Sequence, residues 1–295
     1  MTSISSGLVI LLLLTPLIGG SFEQTRQDPA APVTVTLTIT DKSGRYVGGL
    51  RKEQITVLDQ DRSQEIVSFT KADVPISVGF LFDASILNSE VWKVSQDALL
   101  KFMADSNPAN EYFLMGFDSQ THLATSFTNN RNQMSKAFDD LRRMKATNNR
   151  NLYDAIQSSL KTVEAGHHAK RAVILIAGDK DSASSLKYEA LLDQLKRLDV
   201  MLYAIRWKPS NTVLNNLTSV TGGAAFNSKT APALADSFEI ISLELRHQYT
   251  VEYKSESSSP GTWHSLKFQV KPLQLKDSEI VPLFPRGRAG YYSRP

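Results

Sequence analysis

The middle of the chain alternates short apolar runs with segments whose apolar residues recur at helical spacing. The runs are ISVGFLF at 76–82, YFLMGF at 112–117 and AVILIA at 172–177, and each is typical of a strand that is covered on both faces. Helical spacing is clearest over 188–198, where Leu follows Leu at intervals of three and four. Buried strands that alternate with amphipathic helices predict a mostly parallel sheet with helices on both sides. Ligands of such sheets bind beyond the carboxyl ends of the strands.

Both ends of the chain show a different pattern, in which apolar and polar residues alternate. VTVTLTIT at 33–40 has a period of two, and shorter strands are predicted around 55–58 and 66–69. The segments 248–253 and 263–270 alternate in the same way. Neither end has enough strands to fold alone, so we expect 33–72 and 247–295 to pair as one small β module beside a central domain at 73–246.

The first twenty residues are predicted to be a secretory signal peptide. The apolar run GLVILLLLTPLIG ends at Gly19, which is too short to cross a bilayer, and small residues that suit a cleavage site near Gly20 follow it. The preceding MTSISS has no Lys or Arg, which leaves an uncleaved anchor as the alternative. Residues 21–32 are polar and are interpreted as a linker. The mature protein is then expected to be secreted, periplasmic or in the cell envelope, without stable membrane insertion.

Composition narrows the possible functions. The chain has 0 Cys, which excludes disulfide frameworks, zinc ribbons, iron–sulfur clusters and thiol nucleophiles. The net charge of +3 is too small to indicate nucleic-acid binding, and no basic run with interleaved aromatics supports it.

His167 and His168 follow a predicted helix and are interpreted as a solvated turn. Trp207 ends a predicted strand and is expected at the rim of the crevice.

Candidate chemistry begins where the first buried strand ends. Asp83 follows that strand and Ser85 comes two residues later, so a carboxylate and a hydroxyl can lie together above the sheet. Hard oxygen ligands of this kind suit Mg²⁺. The alternative is that these polar residues only cap the following helix, and the local sequence by itself favours capping.

Four segments together resemble a von Willebrand factor A domain. They are VPISVGFLFDASILN, NRNLYDAI, AVILIAGDKD and TGGAAF, in that order along the chain. The flanking β segments are similar to those of a bacterial secreted group within the family. The resemblance implies a doubly wound, Rossmann-like α/β domain with a mostly parallel sheet, next to a β module from both chain ends.

The resemblance also implies a metal-ion-dependent adhesion site, from which this chain departs. Asp83 and Ser85 match the first two positions of the family's Asp-x-Ser-x-Ser motif, but Leu87 stands in place of the second Ser. The family's Thr falls on Arg150 and its later Asp falls on Gly178. Three of the five ligand positions are therefore lost.

The substituted positions suggest a site without metal. We expect Arg150 to occupy the place of the cation and to pair with Asp83 and Ser85, because a guanidinium donates to a carboxylate and repels Mg²⁺. Asp179 lies one residue after the expected carboxylate position and completes the candidate ligand-binding set. Two alternatives stay open: Arg150 points into solvent, or Asp83 and Ser85 hold Mg²⁺.

The sequence then favours one function over two others. The favoured function is an exported, protein-binding module of adhesion or scaffold type that uses the strand-end face and needs no cofactor. The first alternative is a Mg²⁺-dependent ligand-binding protein, and the second is a hydrolase that uses Ser85. No His is placed predictably near Ser85 and no Gly-x-Ser-x-Gly elbow occurs, so we expect the protein not to be an enzyme. The partner is expected to be another protein of unknown identity.

Overall fold

The computed structural model describes residues 32–86, 89–143, 147, 149–255, 260–274 and 280–293. The predicted signal peptide, nearly all of the predicted linker and Leu87 lie outside these residues, so export stays a prediction. Within the described parts of the chain, no helix has the length and apolar character needed to cross a membrane.

The described residues of the central domain form six strands and six α-helices. The strands are β5 (Ile76–Asp83), β6 (Glu111–Phe117), β7 (Thr121–Thr128), β8 (Lys170–Ala177), β9 (Met201–Trp207) and β10 (Ala225–Ser228). The helices are α1 (Ser89–Asp105), α2 (Arg131–Arg142), α3 (Leu152–Glu164), α4 (Tyr188–Arg197), α5 (Val213–Val220) and α6 (Ala231–His247).

These strands form one sheet in the order β10-β9-β8-β5-β6-β7, and every pairing except the antiparallel β6–β7 pair is parallel. All eight residues of β5 are buried, because helices cover both faces of the sheet. One apolar core lies under α1, α2 and α6, and a second lies under α3, α4 and α5. The predicted α/β fold is confirmed.

The remaining strands come from the two chain ends. They are β1 (Val33–Thr40), β2 (Ile55–Asp59), β3 (Arg62–Gln64), β4 (Ile66–Thr70), β11 (Tyr249–Tyr253), β12 (Trp263–Val270), β13 (Leu273–Gln274), β14 (Ile280–Val281), β15 (Phe284–Arg286) and β16 (Gly290–Tyr292). One sheet has the order β15-β1-β11-β4 and the other has the order β16-β12-β2-β3. Apolar side chains of both sheets share one core. The predicted β module from both ends is therefore confirmed as a sandwich.

One detail of the β module differs from the prediction. The polar residues 59–63 between the two predicted strands predict only a turn, but β3 begins at Arg62 and pairs with β2 across a two-residue turn. Gln60 and Asp61 both have positive φ, at 51° and 62°, which is the geometry of a type I′ hairpin. The residues of β3 are Arg, Ser and Gln, so no apolar alternation announces this strand.

Buried polar contacts fix the β module to the central domain. Arg286 of β15 donates to the carboxylate of Glu244 on α6, and its Nε donates to Gly222 O at 3.1 Å. Gln248 Nε2 donates to Thr38 Oγ1 at 3.0 Å across the same junction. Gly222 has φ +82°, and a Cβ there would lie 2.7 Å from Arg288 N. The C-terminal segment therefore packs directly on the backbone that follows α5.

Candidate functional site

The site is built on the carboxyl end of β5. Asp83 is the last residue of this strand and its side chain is fully buried. Ser85 lies in the short 3₁₀ turn Ala84–Ile86, where its N–H donates to Asp83 Oδ1 at 2.9 Å and its Oγ donates to the same oxygen at 2.5 Å. This is an Asx turn, which Asp adopts because its carboxylate reaches the backbone two residues later.

Arg150 meets these two residues from the loop that precedes α3. Its Nε donates to Asp83 Oδ2 at 3.1 Å and to Ser85 Oγ at 2.8 Å. The Arg150 side chain is 26% exposed, whereas that of Asp83 is 0% exposed. The pairing that the sequence predicted is thus present, with the guanidinium at the mouth of the site and the carboxylate at its base. That these residues bind a ligand stays a prediction.

Asp118 holds the loop that carries Arg150. Its Oδ2 accepts from Thr147 N at 3.2 Å, and its backbone carbonyl accepts from Asn151 N at 2.7 Å. Burial raises the pKa of Asp118, but the backbone N–H donors outweigh burial and leave the pKa below its usual value. Sequence reasoning missed Asp118, although a carboxylate directly after β6 is the same signal that identified Asp83.

The loop after β8 forms hydrogen bonds with the Arg150 loop and with the start of α3. Arg150 N donates to Ser182 Oγ at 2.9 Å, and Ser182 N returns a bond to Arg150 O at 2.9 Å. Ser184 Oγ accepts from Tyr153 N at 3.0 Å and from Asp154 N at 3.2 Å, so it satisfies two open donors at the start of α3. The backbone of Arg150 is therefore fixed, and only its guanidinium is free to exchange partners.

Asp179 lies in a separate ion pair. Its two carboxylate oxygens accept from Arg206 Nε and Nη2, both at 2.9 Å, and Ser210 N donates to Oδ2 at 2.6 Å. Burial raises the pKa of Asp179, but the Arg206 and backbone donors outweigh burial and hold the pKa below its usual value. The bonds of this carboxylate all go to Arg206 and the 210–211 backbone. The structure does not bring Asp179 into contact with Asp83, and sequence reasoning missed Arg206.

The donor set around Asp83 does not suit a divalent cation. Both carboxylate oxygens already accept hydrogen bonds, one from Ser85 and the other from Arg150. The Arg150 guanidinium in contact with Asp83 also repels a second cation. Gly178 supplies no side-chain oxygen, so the carboxylate that would offset this charge is missing.

The family of the central domain follows from a direct comparison. Residues 81–180 match the family model of the von Willebrand factor type A domain. This match includes the last three residues of β5, all of β8, and the side chains of Asp83, Ser85, Asp118, Arg150 and Asp179. Ser182, Ser184 and Arg206 lie beyond it. This match confirms the resemblance to the von Willebrand factor type A domain over these residues. The narrower bacterial secreted group stays a prediction.

Solved structures with the same fold include matrix and pilus proteins. Proximal thread matrix protein 1 from the mussel byssus has a TM-score of 0.52 and 12% identity, over 65% of this chain and 51% of that chain. A second structure of it is described as having a zinc-occupied metal-ion-dependent adhesion motif. The von Willebrand factor domain of a type V pilus tip protein from Porphyromonas gingivalis has a TM-score of 0.45 and 10% identity, over 58% and 94%.

A third structure, a von Willebrand factor type A protein from Catenulispora acidiphila, has a TM-score of 0.49 and 9% identity, over 91% and 75% of the two chains. No curated protein matches this chain in sequence. The chain spans about half the length of the mussel protein. At 12% identity, the likeness to the mussel protein establishes the fold alone.

Proposed function

We propose that the protein is an exported, protein-binding module of adhesion or scaffold type. It binds its partner through the face formed by the carboxyl ends of β5, β8 and β9. The adhesion site on this face works without metal, because Arg150 takes the position of the cation. The single observation that carries the proposal is the contact of Arg150 Nε with both Asp83 and Ser85.

The geometry of Arg150 supports a direct role in binding. Its guanidinium is partly exposed, while the carboxylate that anchors it is buried. In a metal-containing site the cation would accept a carboxylate from the partner. Here the unused N–H groups of Arg150 can donate to the same kind of group, since arginine binds carboxylates through paired N–H donors.

An aromatic residue on the same face supports a protein partner. Trp207 ends β9 and is half-buried, and Lys208 Nζ lies 5.6 Å from the centre of its ring. Trp and Arg are enriched at the centres of protein interfaces. Proximal thread matrix protein 1, which shares the fold, is described as a matrix protein of the mussel byssus, which accords with a scaffold role.

Capture experiments with the mature protein test the proposal. The unmodified protein should retain an acidic surface protein from its natural host in the presence of a chelator, and Trp207→Ala and Arg150→Gln should weaken retention by about 10-fold or more each. Val67→Ser is the matched control, because Val67 is 46% exposed on the β module. Retention that requires Mg²⁺, or that is equal in Trp207→Ala and Val67→Ser, would contradict the proposal.

We further propose that the protein is not an enzyme. Ser85 Oγ donates to Asp83 and accepts from Arg150, and a cationic donor makes a hydroxyl a poorer nucleophile. A screen with ester and phosphoester substrates should give no turnover. Turnover that disappears in Ser85→Ala would instead support the hydrolase alternative.

A further inference from the structure

A cavity with basic and hydroxyl-bearing side chains in its lining lies at the opposite end of the central sheet from Arg150. Its volume is about 510 Å³, and it opens between the amino ends of the parallel strands and the outer face of the β module. Lys170 and Arg171 begin β8 and Met201 begins β9, so these strands form one wall. Nothing in the proposed adhesion site depends on this cavity.

The walls of the cavity are strongly basic. Lys170, Arg171 and Arg288 line it, together with the two histidines that follow Gly166. Asp199 is the one carboxylate among the described residues that line the cavity. Its side chain is 82% exposed and contacts Arg288 Nη1 at 3.3 Å, so solvent screens most of its charge. Basic side chains therefore outnumber carboxylates among the described residues that line the cavity.

Two of these cations are held away from water without an anionic partner in hydrogen-bonding contact. Burial lowers the pKa of Lys170 to about 8, against a weaker opposing effect of Asp73, and its Nζ donates only to a carbonyl, Leu245 O. Arg171 Nε is buried and has no hydrogen-bond partner among the described residues. Its Nη2 makes one long contact, at 3.4 Å, with Gly166 O. Desolvated cations of this kind are strongly stabilised when an anion reaches them.

The opposite wall is a row of threonines. Thr36 of β1, Thr250 of β11 and Thr70 of β4 are direct cross-strand partners, and all three line the cavity. The alternate residues of these strands, such as Val35 and Val251, are buried in the core of the β module. The period of two therefore places hydroxyl-bearing side chains on the cavity side.

We propose that this cavity is a binding site for an oxyanion group, a sulfate, phosphate or carboxylate, carried by a small hydroxylated ligand. Lys170 and Arg171 bind the anionic group. Arg288 adds positive charge to the wall, since its guanidinium already contacts Gly290 O, Asp199 and the carbonyls of 196 and 198. The threonine wall binds the hydroxyl groups of the remainder of the ligand, since each hydroxyl both donates and accepts.

Calorimetric titration of the full chain tests the site with sulfate, phosphate, glucuronate and glucose as probes. The oxyanions should bind saturably and glucose should not, and the order of the three affinities identifies the anionic group. The double variant Lys170→Gln/Arg171→Gln should lose at least about 10-fold in affinity, which corresponds to one charge-assisted hydrogen bond. Lys136→Gln/Lys161→Gln is the matched control, because it removes the same charge from exposed helix positions.

The variant Asp199→Asn provides an independent test. Asp199 is exposed, so its replacement does not disturb the core. It should bind the oxyanions more tightly, because Arg288 Nη1 loses its 3.3 Å contact with this carboxylate and can then donate to the bound anion. The proposal is wrong if the unmodified protein shows no saturable binding, or if both double variants bind equally. If the Lys170/Arg171 variant does not fold, tighter binding by Asp199→Asn supports the proposal, and unchanged or weaker binding overturns it.

Discussion

Two arginine–aspartate pairs lie at the carboxyl edge of the same sheet and differ in how their charges are enclosed. Arg206 and Asp179 have side chains that are 5% and 0% exposed and are joined by two parallel hydrogen bonds. Arg150 and Asp83 have side chains that are 26% and 0% exposed, and a single nitrogen makes the contact. In the first pair both side chains are buried, and we call it the closed pair. In the second pair only the carboxylate is buried, and we call it the half-open pair.

The difference in burial predicts different roles for the two arginine–aspartate pairs. In the closed pair every donor of the carboxylate is internal, so its loss is a loss of stability. In the half-open pair the guanidinium faces outward with N–H groups that a partner can reach. We therefore propose the Arg150–Asp83 pair, and not the Arg206–Asp179 pair, as the one that binds a partner. The Arg206–Asp179 pair holds the backbone of 210–211 next to Asp179.

The largest expected effect is the removal of Arg206. Arg206→Ala should lower the free energy of unfolding by about 3–5 kcal/mol, because Asp179 would remain buried with an uncompensated charge. Chemical denaturation of the purified protein measures the loss. Arg206→Lys is the control that keeps the positive charge but not the two parallel hydrogen bonds. Its free energy of unfolding should lie between those of Arg206→Ala and the unmodified protein. An Arg206→Ala protein as stable as the unmodified one would remove the distinction between the pairs.

Removal of Arg150 should have a smaller effect. Arg150→Ala should lower the free energy of unfolding by about 1–2 kcal/mol, because water can enter where the guanidinium was and Ser85 still donates to Asp83. Mg²⁺ should restore part of this loss in Arg150→Ala and should leave the unmodified protein unchanged. Thermal denaturation with and without Mg²⁺ measures both. A loss equal to that of Arg206→Ala would mean that this pair is also structural.

Acid should act on the closed pair at low pH. The folded-state pKa of Asp179 is held below its usual value, so the folded protein binds fewer protons than the unfolded chain as the pH falls through that value. The stability that this group supplies is complete above about pH 4 and is lost as the pH falls further. In Asp179→Asn the free energy of unfolding should depend less steeply on pH below 4. An unchanged slope would contradict the assignment.

The smallest expected effect is at an exposed pair on α2. Arg143 and Asp140 have side chains that are 79% and 51% exposed. Arg143→Ala should change the free energy of unfolding by less than about 0.5 kcal/mol, because solvent screens the pair. In the same denaturation assay, this variant gives the loss expected for an exposed pair, against which the losses in Arg206→Ala and Arg150→Ala are compared. A larger loss would show that exposure does not set the order of the three pairs.

The sequence predicted the parts of the fold that depend on hydrophobic periodicity. The continuous apolar run of β5 predicts a strand buried on both faces, and the alternation of β1 predicts a strand buried on one face. Both strands were predicted correctly. β3 could not be predicted, because its three residues are polar and its pairing is set by the backbone conformation of Gln60 and Asp61.

The candidate site was predictable only in part. The contact of Arg150 with Asp83 followed from the family resemblance, because the family's ligand positions surround one ion. The Asp179–Arg206 pair did not follow, since nothing in the sequence selects Arg206 among the other basic residues as the partner. The basic cavity was also beyond prediction, because its lining comes from Thr36, Lys170 and Arg288, which only the packing of the two domains brings together.

Magnesium titration by calorimetry tests the central claim, that Arg150 stands in place of the cation, most directly. The variant Leu87→Ser/Arg150→Thr/Gly178→Asp restores the three lost ligands, and at Gly178 a Cβ would meet only Trp207 O, at 4.0 Å, so an Asp side chain has room to begin there. The unmodified protein should give no binding heat, and the triple variant should bind Mg²⁺. Binding of Mg²⁺ by the unmodified protein at micromolar concentration would contradict the account.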